Sequence, residues 1–282
     1  MAKRPDFLVV GHVTKDLQPG GGYSVGGTAT FAALTARSLG LSAAALTSAP
    51  PDLDLSGVLP GVDLRVVPSP SALTFENCYE GQRRYQIVHS TASPLTVPDL
   101  PPVWANAPIV LLGPLMGELG LEFLGVFPVA LTGVTPQGWM RQFDSTGRVS
   151  YRTWEEAGEV LAAVDVLVFS EEDVAGDQYL IQHNASMARV AVVTRGRLGA
   201  TVFTQGRAKQ FPAFRAREVD PTGAGDVFAA AFLVRLKETG DPEAAAQFAN
   251  CAASFAVEGQ GTSSIPTRRQ VEERLCSGEV YD

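Results

Sequence analysis

Residues 6–49 carry the pattern that most restricts the fold. DFLVVGHV (6–13) is a continuous apolar run of strand length, the signature of a strand covered on both faces. TATFAALTARSLG (28–40) is Ala-rich with helical spacing and ends on Gly40, a good C-cap residue. SAAALTS (42–48) returns as a strand. Strand, helix and strand at this spacing form a crossover unit, which requires a parallel sheet.

The alternation continues further along. PIVLLG (108–113), FPVALTGV (127–134), VDVLVFS (164–170) and VAVVTRG (190–196) read as sheet strands, and TWEEAGEVLAAV (153–164) as an amphipathic helix. GATVFTQGRAKQFPAF (199–214) reads as an edge hairpin, and the last stretch as helices over 223–238, 242–258 and 267–276. Two segments interrupt the pattern. QPGGGYSVGG (18–27) is a Gly-rich loop, and LTFENCY with RRYQIVHS flanks EGQ as a hairpin with a Gly-containing turn. The hairpin has too few large apolar residues for a core of its own, so it suits a lid. The expectation is a single α/β domain over 1–282: a mostly parallel central sheet flanked by helices on both faces, with a small β lid built from elements around 14–25 and 70–92.

Composition excludes several function classes. The net charge is −8 and no Lys/Arg block exists beyond the AKR after Met1, so a nucleic-acid surface is not expected. FLVVGHV is too short for a signal peptide, with Asp6 before it and Lys15-Asp16 after it. No apolar run approaches the roughly 18 residues of a membrane span. The three cysteines, Cys78, Cys251 and Cys276, have no metal spacing and read as reduced thiols, which suits a cytoplasmic protein.

The chemistry concentrates in DPTGAGDVFAAAFL (220–233). Pro221 ends the incoming strand and Thr222 is placed to cap the following helix. Gly223, Ala224 and Gly225 leave the N–H groups of the first turn uncovered, so an anion can reach the positive end of the helix, with Asp226 beside it. An acid in a first turn also favours the helix dipole without any ligand. These residues alone serve a capped helix and an anion site equally well.

DPTGAGD resembles the C-terminal motif of the ribokinase-like (PfkB) carbohydrate kinases, and the similarity extends over nearly the whole chain. It takes in Asp16-Leu17 after the first strand, the Gly26-Gly27 pair opening a helix, the lid hairpin, and VVTRGRLGATVF (192–203). The resemblance implies a phosphotransferase using ATP and Mg²⁺. In it, Gly223, Ala224 and Gly225 form the anion hole for the transferred phosphoryl group, and Asp226 takes the proton of the accepting hydroxyl. It makes Asp16, Gly26 and Gly27 the contacts of a sugar or polyol substrate. Thr194, Gly196, Gly199 and Thr222 become candidates for the nucleotide's phosphates or ribose, and Asn250, Ala253 and Gly261 for its base. Without the family, each has a plainer reading: Asp16 a solvated strand-end acid, Gly196 and Gly199 a tight turn, and 242–258 an Ala-rich core helix.

Two positions depart from the family. Phe31 stands where an Asn often contacts the substrate. SEED (170–173) stands for Asn-x-x-Glu, leaving Glu172 and Asp173 as candidates to act through water on Mg²⁺. PQGWMRQFD (136–144) and AVEGQG (256–261) run parallel to myo-inositol kinase-like members, which tilts the substrate towards a sugar or cyclic polyol. The alternatives are a nucleoside kinase of the same family or a non-catalytic regulatory protein with the kinase fold. The family also includes lid-swapped dimers, so a monomer or a homodimer through the hairpin 72–90 is expected. A different class, the hydrolase suggested by Ser24 in GYSVG with His89 or His183, lacks the strand that must run directly into such an elbow. No GxxxxGK[ST] stretch is present for a P-loop, and no G-x-G-x-x-G follows the first strand.

Overall fold

The computed structural model describes residues 3–80 and 83–281. All four residues of β1 (Phe7–Val10) are buried, because the strand has a neighbour on each side and a packed layer on each face. Phe7 and Val9 face one apolar cluster, and Leu8 and Val10 face another. That two-sided burial explains the unbroken apolar run.

The chain leaves β1 into an antiparallel pair, β2 (Thr14–Leu17) and β3 (Tyr23–Gly26), then enters α1 (Thr28–Ser38). β4 (Ala43–Ala49) returns parallel to β1 with Ala43 beside Phe7, and β5 (Asp63–Pro68) adds outside it. β6 (Leu73–Glu80) and β7 (Arg83–Ser90) are the antiparallel arms of the expected hairpin. Its Gly81-Gln82 turn lies outside the described residues. β8 (Ile109–Leu112) and β9 (Leu131–Val134) rejoin the main sheet, and β10 (Arg141–Phe143) pairs with β11 (Val149–Tyr151). Next come α2 (Ala157–Ala163), β12 (Val166–Ser170), α3 (Gln178–Met187), β13 (Val190–Thr194), β14 (Ala200–Thr204) and β15 (Arg207–Phe211). The chain closes on α4 (Ala224–Thr239), α5 (Pro242–Ala256) and α6 (Arg268–Ser277).

Apart from the β10–β11 ribbon, two sheets organise the described strands. The main sheet has nine strands in the order β15-β14-β13-β12-β9-β8-β1-β4-β5, parallel from β5 to β13 with β14 and β15 antiparallel at one edge. The smaller sheet, β3-β2-β6-β7, carries a minor apolar cluster of Leu73, Phe75 and Val88 with Leu115. The hairpin thus packs its few apolar residues against Leu115, which lies outside it, and has no separate core of its own. The cluster containing Phe7 and Val9 also contains residues of α1, α4 and α5, while the opposite one contains residues of α2 and α3 with Trp104 and Phe123. Among the described residues no helix is long and apolar enough to cross a membrane, and all three cysteines are free. Burial pushes the Cys251 thiol up to about 12, which keeps it protonated and unreactive.

Several boundaries differ from the sequence reading. The Gly-rich loop is shorter, since Tyr23–Gly26 pairs with β2 and only 18–22 turns. The expected helix 153–164 begins at Ala157, because Trp154 is buried in a stack against Trp139 at 5.9 Å. In 127–134 only Leu131–Val134 is strand; Phe127 is a core anchor ahead of it. Pro221 ends no strand, as β15 stops at Phe211 and 212–220 is irregular. Unread in the sequence were β5, the β10–β11 ribbon and α3, although Asp177 caps α3 by accepting from Tyr179 and Leu180 N–H.

α4 is apolar over most of its circumference because it lies between the sheet and neighbouring helices. A Cβ at Gly133 would sit 2.7 Å from Leu233 Cδ1, so the helix approaches β9 as closely as a glycine permits. Leu233→Ala is expected to cost about 3–5 kcal/mol, the upper part of the usual range, because Gly133 has no side chain to fill the space. Gly133→Ala in the Leu233→Ala background should recover part of this, read by urea denaturation of both variants. Additive losses would rule out this complementary packing.

Candidate active site

A cleft of about 1180 Å³ opens where the C-terminal ends of β12 and β13 meet the small sheet and the start of α4. Ligands of open parallel sheets collect at this end of the strands. Phe75, Tyr85 and Gln86 contribute the wall from the small sheet, and Thr135, Ser170 and Thr194 the wall from the main sheet.

Gly223, not Thr222, is the N-cap of α4. It has φ +79°, and a Cβ there would lie 2.4 Å from the Phe31 ring, so both conformation and space require glycine. Thr222 makes no capping bond; its N–H donates to Asp220 Oδ1 at 2.9 Å, while Asp220 Oδ2 accepts from Gly261 N at 3.1 Å. Asp220 thereby shapes the turn from outside. Ala224 N–H donates to Pro221 O and Val227 N–H to Gly223 O, but among the described residues no main-chain carbonyl takes the N–H of Gly225 or Asp226. Nothing lies within 4 Å of the position a Gly225 Cβ would occupy. Open space over unused amides at a helix start suits a small anion.

Asp226 is half-buried beside that space, and its carboxyl is raised to about 6. Burial is the main cause. A hydrogen bond from the Thr28 hydroxyl opposes it, nearby Asp173 and Asp16 reinforce it, and Arg141 offsets part of it. Thr28 fits because residue 113 is glycine; a Cβ there would lie 2.3 Å from Thr28 Cγ2. Thr28 and Arg141 were missed in the sequence reading. The signals available were a hydroxyl directly after Gly26-Gly27 and an arginine inside PQGWMRQFD.

Asp16 faces the same cleft from β2, accepting from Thr14 Oγ1 at 3.0 Å. Gly26 does not line the cleft; it makes room for this carboxylate, since a Cβ there would be 2.2 Å from Asp16 Oδ2. Gly27 does line it, but its φ of +86° and its approach to His12 O, 2.5 Å from a would-be Cβ, make it first a requirement of the turn into α1. Phe31 is buried and lines the cleft with its ring against Gly223.

Thr194, Gly196, Gly199, Thr222, Asn250 and Ala253 all line the cleft, whereas Gly261 does not. Asn250 donates its amide to Phe211 O at 3.0 Å and Pro212 O at 3.2 Å, so it anchors the chain after β15, and only its carbonyl oxygen stays available for a ligand. Gly199 has φ +81° and would place a Cβ 2.0 Å from Phe211 O, a structural need beside any binding role.

Asp173 is heavily engaged. Oδ2 accepts from Ser170 N at 2.9 Å in a capping box, Oδ1 accepts from Gln137 Nε2 at 2.8 Å, and Arg141 Nη2 lies 3.9 Å away. Glu172 is exposed on the cleft wall. Among the described residues no group of three His, Cys, Asp or Glu side chains gathers to hold a metal ion. These donors fit an ion carried in by phosphates and touched through water, not one caged by the protein. The hydrolase alternative finds no support. Ser24 accepts from Gln18 Nε2, His89 pairs with Glu76 at 2.7 Å, and neither His89 nor His183 lines the cleft.

Residues 154–268 match the family described as pfkB family carbohydrate kinase. Among characterised proteins the chain is 34% identical over 128 residues to the ATP-dependent ribose-1-phosphate kinase of Halopiger xanaduensis, covering 44% of this chain and 42% of that one. The matched stretch is thus under half of that relative's length. It is 27% identical over 261 residues to the cytidine kinase of Thermococcus kodakarensis, covering 81% and 87%. Among solved structures, a pyrophosphate-dependent kinase in the ribokinase family, complexed with a pyrophosphate analog and myo-inositol, superposes with a TM-score of 0.80 at 25% identity, over 94% of this chain and 99% of that one.

The raised Asp226 carboxyl makes a stability prediction with a definite sign. The folded state holds the proton up to about pH 6, the unfolded state only to its ordinary 3.8, so ionised Asp226 destabilises the fold fully above pH 6 and not at all below about pH 3.8. Asp226→Asn should melt higher than the parent at pH 7.5, and the gain should vanish as pH falls from 6 to 4. Calorimetric melting across that range checks it; a gain that grows on acidification would reverse the assigned shift.

Proposed function

We propose, from the membership of this chain in the ribokinase-like (PfkB) family, that it transfers a phosphoryl group from ATP to a hydroxyl of a sugar or cyclic polyol. The observation that carries this reading is a carboxylate raised to about 6 beside a glycine-lined helix start whose amides meet open space. In the reaction the alcohol oxygen attacks the terminal phosphorus of the donor and its proton passes to the Asp226 carboxylate. The bond from that phosphorus to the bridging oxygen breaks, and this oxygen keeps the electron pair and leaves on ADP. The N–H groups of Gly225 and Asp226 receive the non-bridging oxygens.

Asp16 accepts hydrogen bonds from two substrate hydroxyls, with Thr14 holding its other side. Phe31, in place of a polar side chain, gives the substrate an apolar face to pack on. Thr194, Gly196 and Thr222 flank the donor's phosphates, and Ala253 with the Asn250 carbonyl flanks its base. Mg²⁺ would neutralise part of the donor's charge, with Glu172 and Asp173 as the residues that would hold it through water.

A nucleoside acceptor is the second reading, favoured by the long match to a cytidine kinase. The test is product formation from ATP or pyrophosphate with a panel of sugars, inositols and nucleosides. Asp226→Asn should fold and lose about 10²–10⁴-fold or more in kcat. Near-parental turnover in that variant sinks the mechanism. A Cβ at Gly225 meets open space, so Gly225→Val should change melting little while abolishing activity or strongly raising the donor KM. Unchanged donor affinity would return the turn to an ordinary helix start.

A further inference from the structure

The cleft runs on past the anion turn. Strand order places β13 four spacings from β1, about 19 Å away, so the β13 end is well removed from the end that holds Asp16. α5 packs against β14 and β15 and turns one stripe to this end: Asn250, Ala253, Ser254 and Val257, at the i, i+3, i+4, i+7 spacing of a single helix face. The polar groups of the stripe are mostly spent. Ser254 Oγ donates to Cys251 O at 2.7 Å and accepts from Arg274 Nη1 at 2.9 Å, and the Asn250 amide donates to Phe211 O and Pro212 O. What the stripe offers is short and largely apolar.

The segment 213–216 shares this end with the C-terminal stretch 279–281. The two run antiparallel: Arg215 N–H donates to Glu279 O at 2.8 Å, Tyr281 N–H donates to Ala213 O at 2.9 Å, and Phe214 bridges Val280. The Tyr281 hydroxyl donates to Ala216 O at 3.3 Å. Ala213, Ala216 and Tyr281 all line the cleft, and Tyr281 is half-buried there. Its backbone is tied to Ala213 and its hydroxyl to Ala216, so the ring spans the wall between them. Its orientation is set before any ligand arrives, which spares the ordering cost on binding.

This surface is a poor seat for a phosphate and a good one for a planar ring. Pyrophosphate is charged throughout, and the methyl groups of Ala213, Ala253 and Val257 with an aromatic face offer it no charge-assisted bond. A nucleobase has two π faces, and an aromatic ring of fixed orientation can stack on either whatever the base. The charged residues Arg197 and Glu218 also line the cleft, but they pair with each other at 3.4 Å.

We propose that Tyr281 is a donor-binding residue whose ring packs on the base of a nucleoside triphosphate, so that the donor is a nucleotide and not pyrophosphate. This rests on the phosphotransfer reading above. Bonds made and broken are unchanged, and Tyr281 exchanges no proton.

The experiment measures calorimetric binding of ATP and, separately, of pyrophosphate to the parent, Tyr281→Ala and Tyr281→Phe. Tyr281→Ala should bind ATP roughly 5–100-fold more weakly, with pyrophosphate affinity within about twofold of the parent. Tyr281→Phe keeps the ring and should regain most of the lost ATP affinity. ATP affinity within about twofold of the parent in Tyr281→Ala overturns the proposal. Equal losses for ATP and pyrophosphate overturn it as well, since they mark a disturbed phosphate seat and not a lost base contact. If Tyr281→Ala does not fold, Tyr281→Leu keeps apolar bulk without the ring and takes its place. A parent that transfers from pyrophosphate to an alcohol, yet neither binds nor uses ATP, sinks the role of Tyr281 and keeps the phosphotransfer reading. A parent that binds ATP through Tyr281 but phosphorylates no alcohol keeps the base contact and discards the kinase reading.

Discussion

Gly223 lies against the ring of Phe31 at a separation that excludes even a methyl group, and this contact sets where α4 begins relative to α1. The left-handed turn at Gly223 aims the next N–H groups into the cleft, and Asp226 follows one residue after Gly225. α1 brings Thr28 to Asp226 from the same side as Phe31. The two helices pack broadly through Ala and Phe side chains, so apolar contact holds the registration of the site, with the Thr28–Asp226 hydrogen bond added to it. A shift of either helix would displace acid, hydroxyl and anion turn together.

The electrostatics of the cleft run against the sign of the whole chain. A protein with net charge −8 places several carboxylates where a phosphate donor is proposed to sit. The compensation is local: a helix N-terminus whose first amides no main-chain carbonyl takes among the described residues. Local dipoles can outweigh a distant net charge because solvent screens the latter within about 10 Å. The same crowding of carboxylates helps to keep the Asp226 carboxyl near neutrality, where a base can both accept and return a proton.

Much of this was legible in the sequence because the signals were local. The apolar runs at 7–10, 109–112, 166–170 and 190–194 are strands, and the three C-terminal helices lie within two residues of their expected bounds. Failures came where tertiary contact overrides local preference. Trp154 belongs to a helical pattern but is held in a stack with Trp139. Thr222 looks like a cap, yet Asp220 takes its N–H and Gly223 turns left-handed against Phe31. Gly26 reads as room for a ligand and is room for Asp16. Asn250 reads as a ligand contact and spends its amide on the carbonyls of Phe211, the last residue of β15, and Pro212. Trp139, Phe31 and Phe211 lie far along the chain from the residues they decide, so no local window contains them, and even the nearer partners, Asp16 and Asp220, act through a turn that only the fold defines.

The two edges of the main sheet have a consequence for how this chain behaves in a crowded solution. An exposed edge strand presents unpaired N–H and C=O groups and invites another chain to add on. β15 offers Arg207, Lys209 and Gln210 to solvent along its length, with Lys209 bridged to Glu243 on α5. β5 offers Asp63 and Arg65 and ends on Pro68, which cannot donate to a further strand. A second molecule docking edge-to-edge would have to strip water from these charges, and at β5 it would also lose a rung of the ladder. The sheet can therefore extend across nine strands without acting as a template for fibre growth.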